Sequence, residues 1–235
     1  YNIKINYATK GFMKYNADIY RELEKRLTTN EFKHGVKLRS EILREEFGCS
    51  ASSVREVLFR LSTKGLVNFQ EQRGFRVPER SPQKLIELTH IRILLEGEGA
   101  VLSIRQGGVA WEARLAAAHH KLSHIEKRIH ALDDPTELID IWFSFEGEFH
   151  QTLISACGSG TLKQLHSQVY AQFRQQLMEA DRRFDFISNN IKQHAEILNA
   201  ALAADEELTR QRIHSHLKRH LTGKTIAAQP PHSGQ

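Results

Sequence analysis

From Pro82 to Leu221 the apolar residues recur at intervals of three and four, β-branched runs are absent, and the periodic stretches are separated by breakers. This spacing belongs to amphipathic helices, and helices joined by short connections pack as an antiparallel bundle. The breakers are Gly107-Gly108, Asp133-Asp134-Pro135, Gly158-Ser159-Gly160 and Ala203-Ala204-Asp205. They divide this part into expected helices over 83–106, 110–131, 135–156, 160–181, 187–204 and 206–221.

The first third is patterned differently. Ile19, Tyr20, Leu23, Arg26 and Leu27 keep helical spacing until His34-Gly35, and a short helix follows over 40–47, closed by Gly48. A third helix carries Val54, Val57, Leu58 and Leu61 on one face. Ser50 can cap it, and Ser53 with Glu56 fits a capping box one turn later, so two starts are open. Two short β-like runs, Leu66-Val67-Asn68-Phe69 and Phe75-Arg76-Val77, then flank a hairpin tip at 70–74. In Pro78-Glu79-Arg80-Ser81-Pro82, two prolines in five residues stop helix and strand alike. The expected organisation is a flexible arm (1–13), a small domain (14–78), a linker (79–82), a helical domain (83–221) and a disordered tail (222–235).

Charge separates the two domains. The net charge is +5, yet residues 1–78 carry 15 Lys and Arg against 9 Asp and Glu, while the remainder carries 18 against 19. A basic unit beside a near-neutral one suggests that the first meets a polyanion and the second something else. No stretch approaches the roughly 18 apolar residues of a membrane span, and Tyr1-Asn2-Ile3-Lys4 opens no secretory signal pattern. Cys49 and Cys157 stand alone, which fits a reducing, cytoplasmic compartment and no disulfide framework.

Three short helices and a hairpin make the winged helix-turn-helix pattern, so the expected fold is mainly α: a winged helix-turn-helix head and an all-α antiparallel bundle. A major groove about 12 Å wide admits one helix, whose first turn meets base edges. Ser50, Ala51, Ser52 and Ser53 are short enough for close approach, Arg55 lies one turn on, and Arg39 precedes the second helix. Arg73-Gly74 at the hairpin tip would bring a guanidinium to a minor groove. The alternative for Arg55 is an ion pair with Glu56 or Glu24.

Gly35-Val36-Lys37-Leu38, Phe47-Gly48-Cys49-Ser50, Val54-Arg55-Glu56-Val57-Leu58, Leu61, Gly65-Leu66-Val67 and Arg73-Gly74-Phe75-Arg76-Val77 resemble the GntR family of bacterial transcription regulators. The resemblance covers about residues 15–78 and implies DNA contacts at Arg39, Ser50, Ser52, Ser53, Arg55, Arg73 and Gly74. Where relatives usually carry Arg after the capping serine, this chain has Ala51, so their operator consensus need not transfer.

In the helical part, Leu138, Ile141, Phe145, Phe149 and Leu153 form one stripe, with Glu146 and His150 stacked beside it four residues apart. His194 falls within the stripe of Ile191, Ala195, Leu198 and Leu202, and His216 borders that of Ile213, Leu217 and Leu221. A carboxylate and three imidazoles inclined inward are costly unless they satisfy one another or hold a cation. Three His and a carboxylate suit a divalent transition metal, zinc first, with nickel and manganese as alternatives. The bland alternative is satisfied core histidines. His119, His120, His124, His130, His166 and His220 read as surface residues, His220 being a fallback ligand one turn beyond His216.

Ile91-Arg92-Ile93-Leu94-Leu95-Glu96, Glu146-x-x-Phe149-His150-x-x-Leu153, His194-Ala195-Glu196-Ile197-Leu198 and His216-Leu217 resemble the effector domain of the FadR-type branch, the FCD domain. That resemblance implies an all-α bundle binding small organic acids, a metal held at Glu146, His150, His194 and His216, and a homodimer on operator DNA. Two departures stand out: relatives use Asp where this chain has Glu146, and Asn where it has Ser159. Arg92 is the candidate clamp for an effector carboxylate, with a salt bridge to Glu96 as its alternative. The rival function is a metal-dependent helical-bundle enzyme using the same four residues; it leaves the winged head without a role.

Overall fold

The computed structural model describes residues 7–132, 134–177 and 187–221. Its contacts form two compact units: the chain up to Ser81 makes the bulk of one, together with Arg174–Leu177, and the remainder of the chain from Pro82 makes the other.

The first unit runs α1 (Tyr7–Thr28), β1 (Lys37–Leu38), α2 (Ser40–Phe47), α3 (Ala51–Thr63), β2 (Asn68–Gln70) and β3 (Gly74–Arg76). α3 packs on α1 and α2, burying Val54, Val57, Leu58 and Leu61 against Leu23, Leu27 and Leu43. The start of α3 is decided by Ser50, whose side-chain oxygen accepts the Ser53 backbone N–H at 3.1 Å; the later start at Ser53 is not used. The sheet has order β1-β3-β2, antiparallel throughout, with Leu38 opposite Phe75 and Phe69 opposite Phe75 on the other side. β1 was not expected, because two residues show no alternation to read. It nevertheless fixes the hairpin to the helices by burying Leu38 beside Phe75.

Two boundaries move. Helix α1 already begins at Tyr7, so the flexible arm expected to residue 13 does not extend over 7–13. Pro82 is the first residue of the next helix rather than the end of the linker. Proline suits that position, where its missing N–H would have no helical partner. The expected arm over 1–6, the expected helical stretch at 178–181 and the tail over 222–235 lie outside the described residues.

The second unit consists of α4 (Pro82–Gln106), α5 (Gly108–His130), α6 (Ile139–Leu153), α7 (Gly160–Leu177), α8 (Ile187–Leu202) and α9 (Glu206–Leu217). Short 3-10 turns precede α6 at Thr136–Leu138 and follow α9 at Lys218–Leu221. α5 packs on α6 and α8, α9 on α4 and α8, and α4 also on α6. Trp111, Leu115, Leu122, Phe149, Leu153, Ile197, Ile213 and Leu217 are among the residues of the shared apolar core. Asp205 caps α9 by accepting the Leu208 N–H at 2.9 Å. The helices end close to the expected breakers, although the stretch expected over 135–156 divides into a 3-10 turn and α6.

One close approach involves α4 at Gly99. A Cβ on Gly99 would lie 2.7 Å from Ile154 Cγ2 and 3.0 Å from Leu162 Cδ2. Gly99→Ala should therefore cost about 1–3 kcal/mol through overpacking, measured as a lower urea midpoint with an unchanged slope.

Candidate functional site

In the head, Ser50, Ser52, Arg39, Arg55 and Arg73 are all exposed. Ser50 Oγ lies 2.8 Å from the hydroxyls of both Ser52 and Ser53, so three serines share one hydrogen-bonded cluster at the start of α3. Ser53 is buried; its hydroxyl supports the cap rather than standing at the surface with Ser50 and Ser52. Glu24 pairs with Lys64 at 3.3 Å, and Glu56 accepts from Asn16 at 3.4 Å. Both carboxylates considered as partners for Arg55 thus have other contacts. At the hairpin tip the Arg73 N–H closes the turn on Glu71 O at 2.8 Å, and Gly74 follows with φ +79°, a left-handed conformation that glycine adopts without strain.

In the bundle, α6, α8 and α9 bring His150, His194 and His216 together. All three are buried, and one ring nitrogen of each lies within 4.8 Å of the other two. Every Nδ1 has a partner outside the cluster: Glu96 Oε2 at 2.9 Å for His150, Glu126 Oε1 at 3.0 Å for His194 and Gln193 Oε1 at 3.1 Å for His216. An oxygen acceptor at Nδ1 selects the tautomer protonated there and frees the Nε2 lone pair. Nε2 of His150 and of His194 are buried without a hydrogen-bond partner. Such orphaned acceptors are what ligation of a cation would satisfy, so the residues present fit a metal.

Protonation follows the same geometry. Burial, then the neighbouring His194 and His150, hold His216 well below the usual imidazole range, which keeps it in the neutral form that can ligate. Burial is the largest influence on His150 and would depress it, but the Glu96 carboxylate, with hydrogen bonds to Glu146 and Glu96, pushes it up on balance.

Glu146 is placed less simply. Its Oε1 lies 3.3 Å from His150 Nε2, but the carboxylate also contacts Arg92 at 3.4 Å and accepts from the Tyr170 hydroxyl. The three histidines form the converging set, with Glu146 at its edge. Arg92 is fully buried, paired with Glu96 and Glu146, and its guanidinium lies over the rings of Tyr170 and Phe173. The alternative reading of Arg92, a bridge to Glu96, is the contact the structure contains.

Two histidines read as surface residues are buried. His166 donates from Nε2 to Glu96 Oε1 at 2.9 Å, and His220 packs edge-on against Phe173. Glu96, wholly buried, therefore holds Arg92, His150 and His166 at once. Burial opposes its charge, but Arg92 and then His150 keep its carboxyl well below the usual range. Glu126 also escaped the sequence reading, although a carboxylate between Ile125 and Ile129 on a periodic helix was a visible signal.

The FCD domain model matches residues 87–219, and the model for bacterial regulatory proteins of the gntR family matches residues 16–77. The chain belongs to the GntR family. Its relatives within it include the HTH-type transcriptional regulator BphR of Paraburkholderia xenovorans, 33% identical over 212 residues, covering 88% of this chain and 80% of that protein. The HTH-type transcriptional repressor GlaR of Escherichia coli is 28% identical over 206 residues, covering 86% and 92%. Escherichia coli McbR/YncC shares the fold with a TM-score of 0.71 at 19% identity, covering 88% of this chain and 95% of that one. A GntR regulator from Rhodococcus matches with a TM-score of 0.72 at 20% identity, covering 92% and 99%.

This GntR-family member is a transcription regulator with an FCD domain, and the rival enzyme reading is set aside because the relatives named are regulators and repressors. No helix among the described residues is long and apolar enough to cross a membrane. Glu96→Ala should destabilise the bundle by about 3–5 kcal/mol, because it leaves the Arg92 guanidinium buried with one distant partner. Urea unfolding of the full-length protein checks this, and Glu98→Ala, an exposed neighbour on the same helix, should change little.

Proposed function

We propose that this regulator binds a palindromic operator as a homodimer, through the start of α3 and the hairpin, and that a divalent cation and a small carboxylate in the bundle control that binding. The observation that carries the control is the convergence of three buried imidazoles whose Nδ1 atoms are already held by Glu96, Glu126 and Gln193. His150, His194 and His216 would hold the cation, and Glu146 is the carboxylate at hand to complete the set. Zinc suits three neutral nitrogens and an oxygen best, with nickel or manganese as the alternatives. When bound, the ion supplies a positive centre with room for an acid's carboxylate. Arg92, pairing Glu146 from the opposite side, is the residue through which an acid would disturb the network.

Arg39, Ser50, Ser52, Arg55, Arg73 and Gly74 make the proposed DNA surface, with Ser53 supporting the cap. The serine cluster presents short side chains at the helix start, and Arg39, Arg55 and Arg73 are exposed. An effector that favours one arrangement of a dimer's two heads changes operator affinity by shifting populations between half-site spacings. The cytoplasm is the compartment in which such a protein meets its DNA.

Two measurements test this reading. Elemental analysis of the untagged protein should give about one divalent transition metal per chain, with His194→Ala losing it; an absence of metal in both proteins after reconstitution would sink the metal half. On a DNA fragment from upstream of its own gene, Arg55→Ala should weaken binding by about ten- to a hundredfold, as removal of a base contact does. Affinity should also fall steeply with salt. Equal binding by wild type and Arg55→Ala would overturn the assignment of α3 as the reading helix.

A further inference from the structure

The bundle has a second opening, lined by none of the three clustered histidines. It is an open cleft of about 850 Å³ between α5, α6 and α7, a size common to small-molecule sites. Arg114 of α5 and Lys163 of α7 line it, as do Ser144, Ser155, Ser167 and His166. Glu148 also lines it, but is paired with Lys121 at 2.7 Å.

Two of its polar atoms have no internal use. His166 Nδ1 and Ser155 Oγ are buried without a hydrogen-bond partner. His166 itself is fully buried, and its Nε2 lies 2.9 Å from Glu96 Oε1. An ionised carboxylate only accepts, so Nε2 carries the proton, and Nδ1 is the ring atom left without a partner. Lys163 Nζ, 3.4 Å from the Ser155 carbonyl, stands over the same end of the cleft. A ligand here needs a negative group for the two cations and a hydroxyl to pair with the imidazole nitrogen. A bare anion supplies only the first.

We propose that this cleft is a second ligand site, which binds a small hydroxylated carboxylic acid. Arg114 and Lys163 hold the carboxylate, a hydroxyl bonds His166 Nδ1, and Ser155 Oγ bonds a neighbouring oxygen. The site is lined by none of the three clustered histidines, although Glu96 links His166 to His150, and it needs no metal.

The test is calorimetric titration of the full-length protein after treatment with a chelator, so that metal ligation cannot report. The probes are D-gluconate, acetate, which lacks hydroxyls, and sorbitol, which lacks the charge. Gluconate should bind saturably, with acetate and sorbitol at least about tenfold weaker, the loss expected for one missing charge-assisted or buried hydrogen bond. Lys163→Glu should weaken gluconate by at least about tenfold. Ser167→Trp, an exposed position that narrows the cleft, should abolish binding, and His194→Ala should bind as the parent does. Three results would overturn the proposal: no saturable gluconate binding; binding indifferent to both Lys163→Glu and Ser167→Trp; or binding lost in His194→Ala alone.

Discussion

A carboxylate sealed inside a helical bundle is unstable company unless it is surrounded by donors, and Glu96 is surrounded by three. Arg92 reaches it from one turn earlier on α4, His150 from α6 and His166 from α7. An isolated buried charge costs several kcal/mol or more, whereas one whose oxygens are all engaged holds its partners in a single geometry. The network therefore does more than balance charge. It turns the His150 ring so that Nδ1 faces Glu96 and Nε2 lies 3.3 Å from Glu146 Oε1. It also holds Arg92 where the guanidinium meets Glu146 and the faces of Tyr170 and Phe173. Remove Glu96 and the orientation of each of these groups loses its cause.

The histidine cluster repeats this logic at each corner. Glu126 from α5 orients His194, and Gln193 from α8 orients His216. The imidazoles come from α6, α8 and α9, so the converging nitrogens exist only when these helices are packed. The apolar core supplies that packing: Phe149, one residue before His150, lies edge-on to both His150 and His194. Hydrophobic burial sets the positions of the helices, and the polar partners set the angles of the rings.

The head works with different materials. Its fold is held by Leu and Val packed between short helices, and its surface by a hydroxyl cluster that ends a helix and leaves its first turn open. The charge asymmetry along the chain, all of the excess in residues 1–78, separates a basic head from a remainder that is close to neutral. That separation suits the proposed division of labour, in which the head reads DNA and the bundle holds small ligands.

The sequence by itself determined the helical class of the second unit, the winged pattern of the first and the three histidines that meet. Each is written in local spacing: a period near 3.6 selects the buried face of a helix, and Gly48, Pro82 and Asp205 mark where helices stop or start. Tertiary structure alone decided which acids serve those histidines. Glu96 and Glu126 sit on helices distant in the chain from the histidines they hold, and of these contacts only the pairing of Glu96 with Arg92, one turn away, was legible locally. Glu146 shows the difference most clearly. Its place four residues before His150 was legible, but its capture by Arg92 and Tyr170 depends on how α4 and α7 lie against α6. Such contacts are long-range, and burial makes them strong enough to override the local pattern.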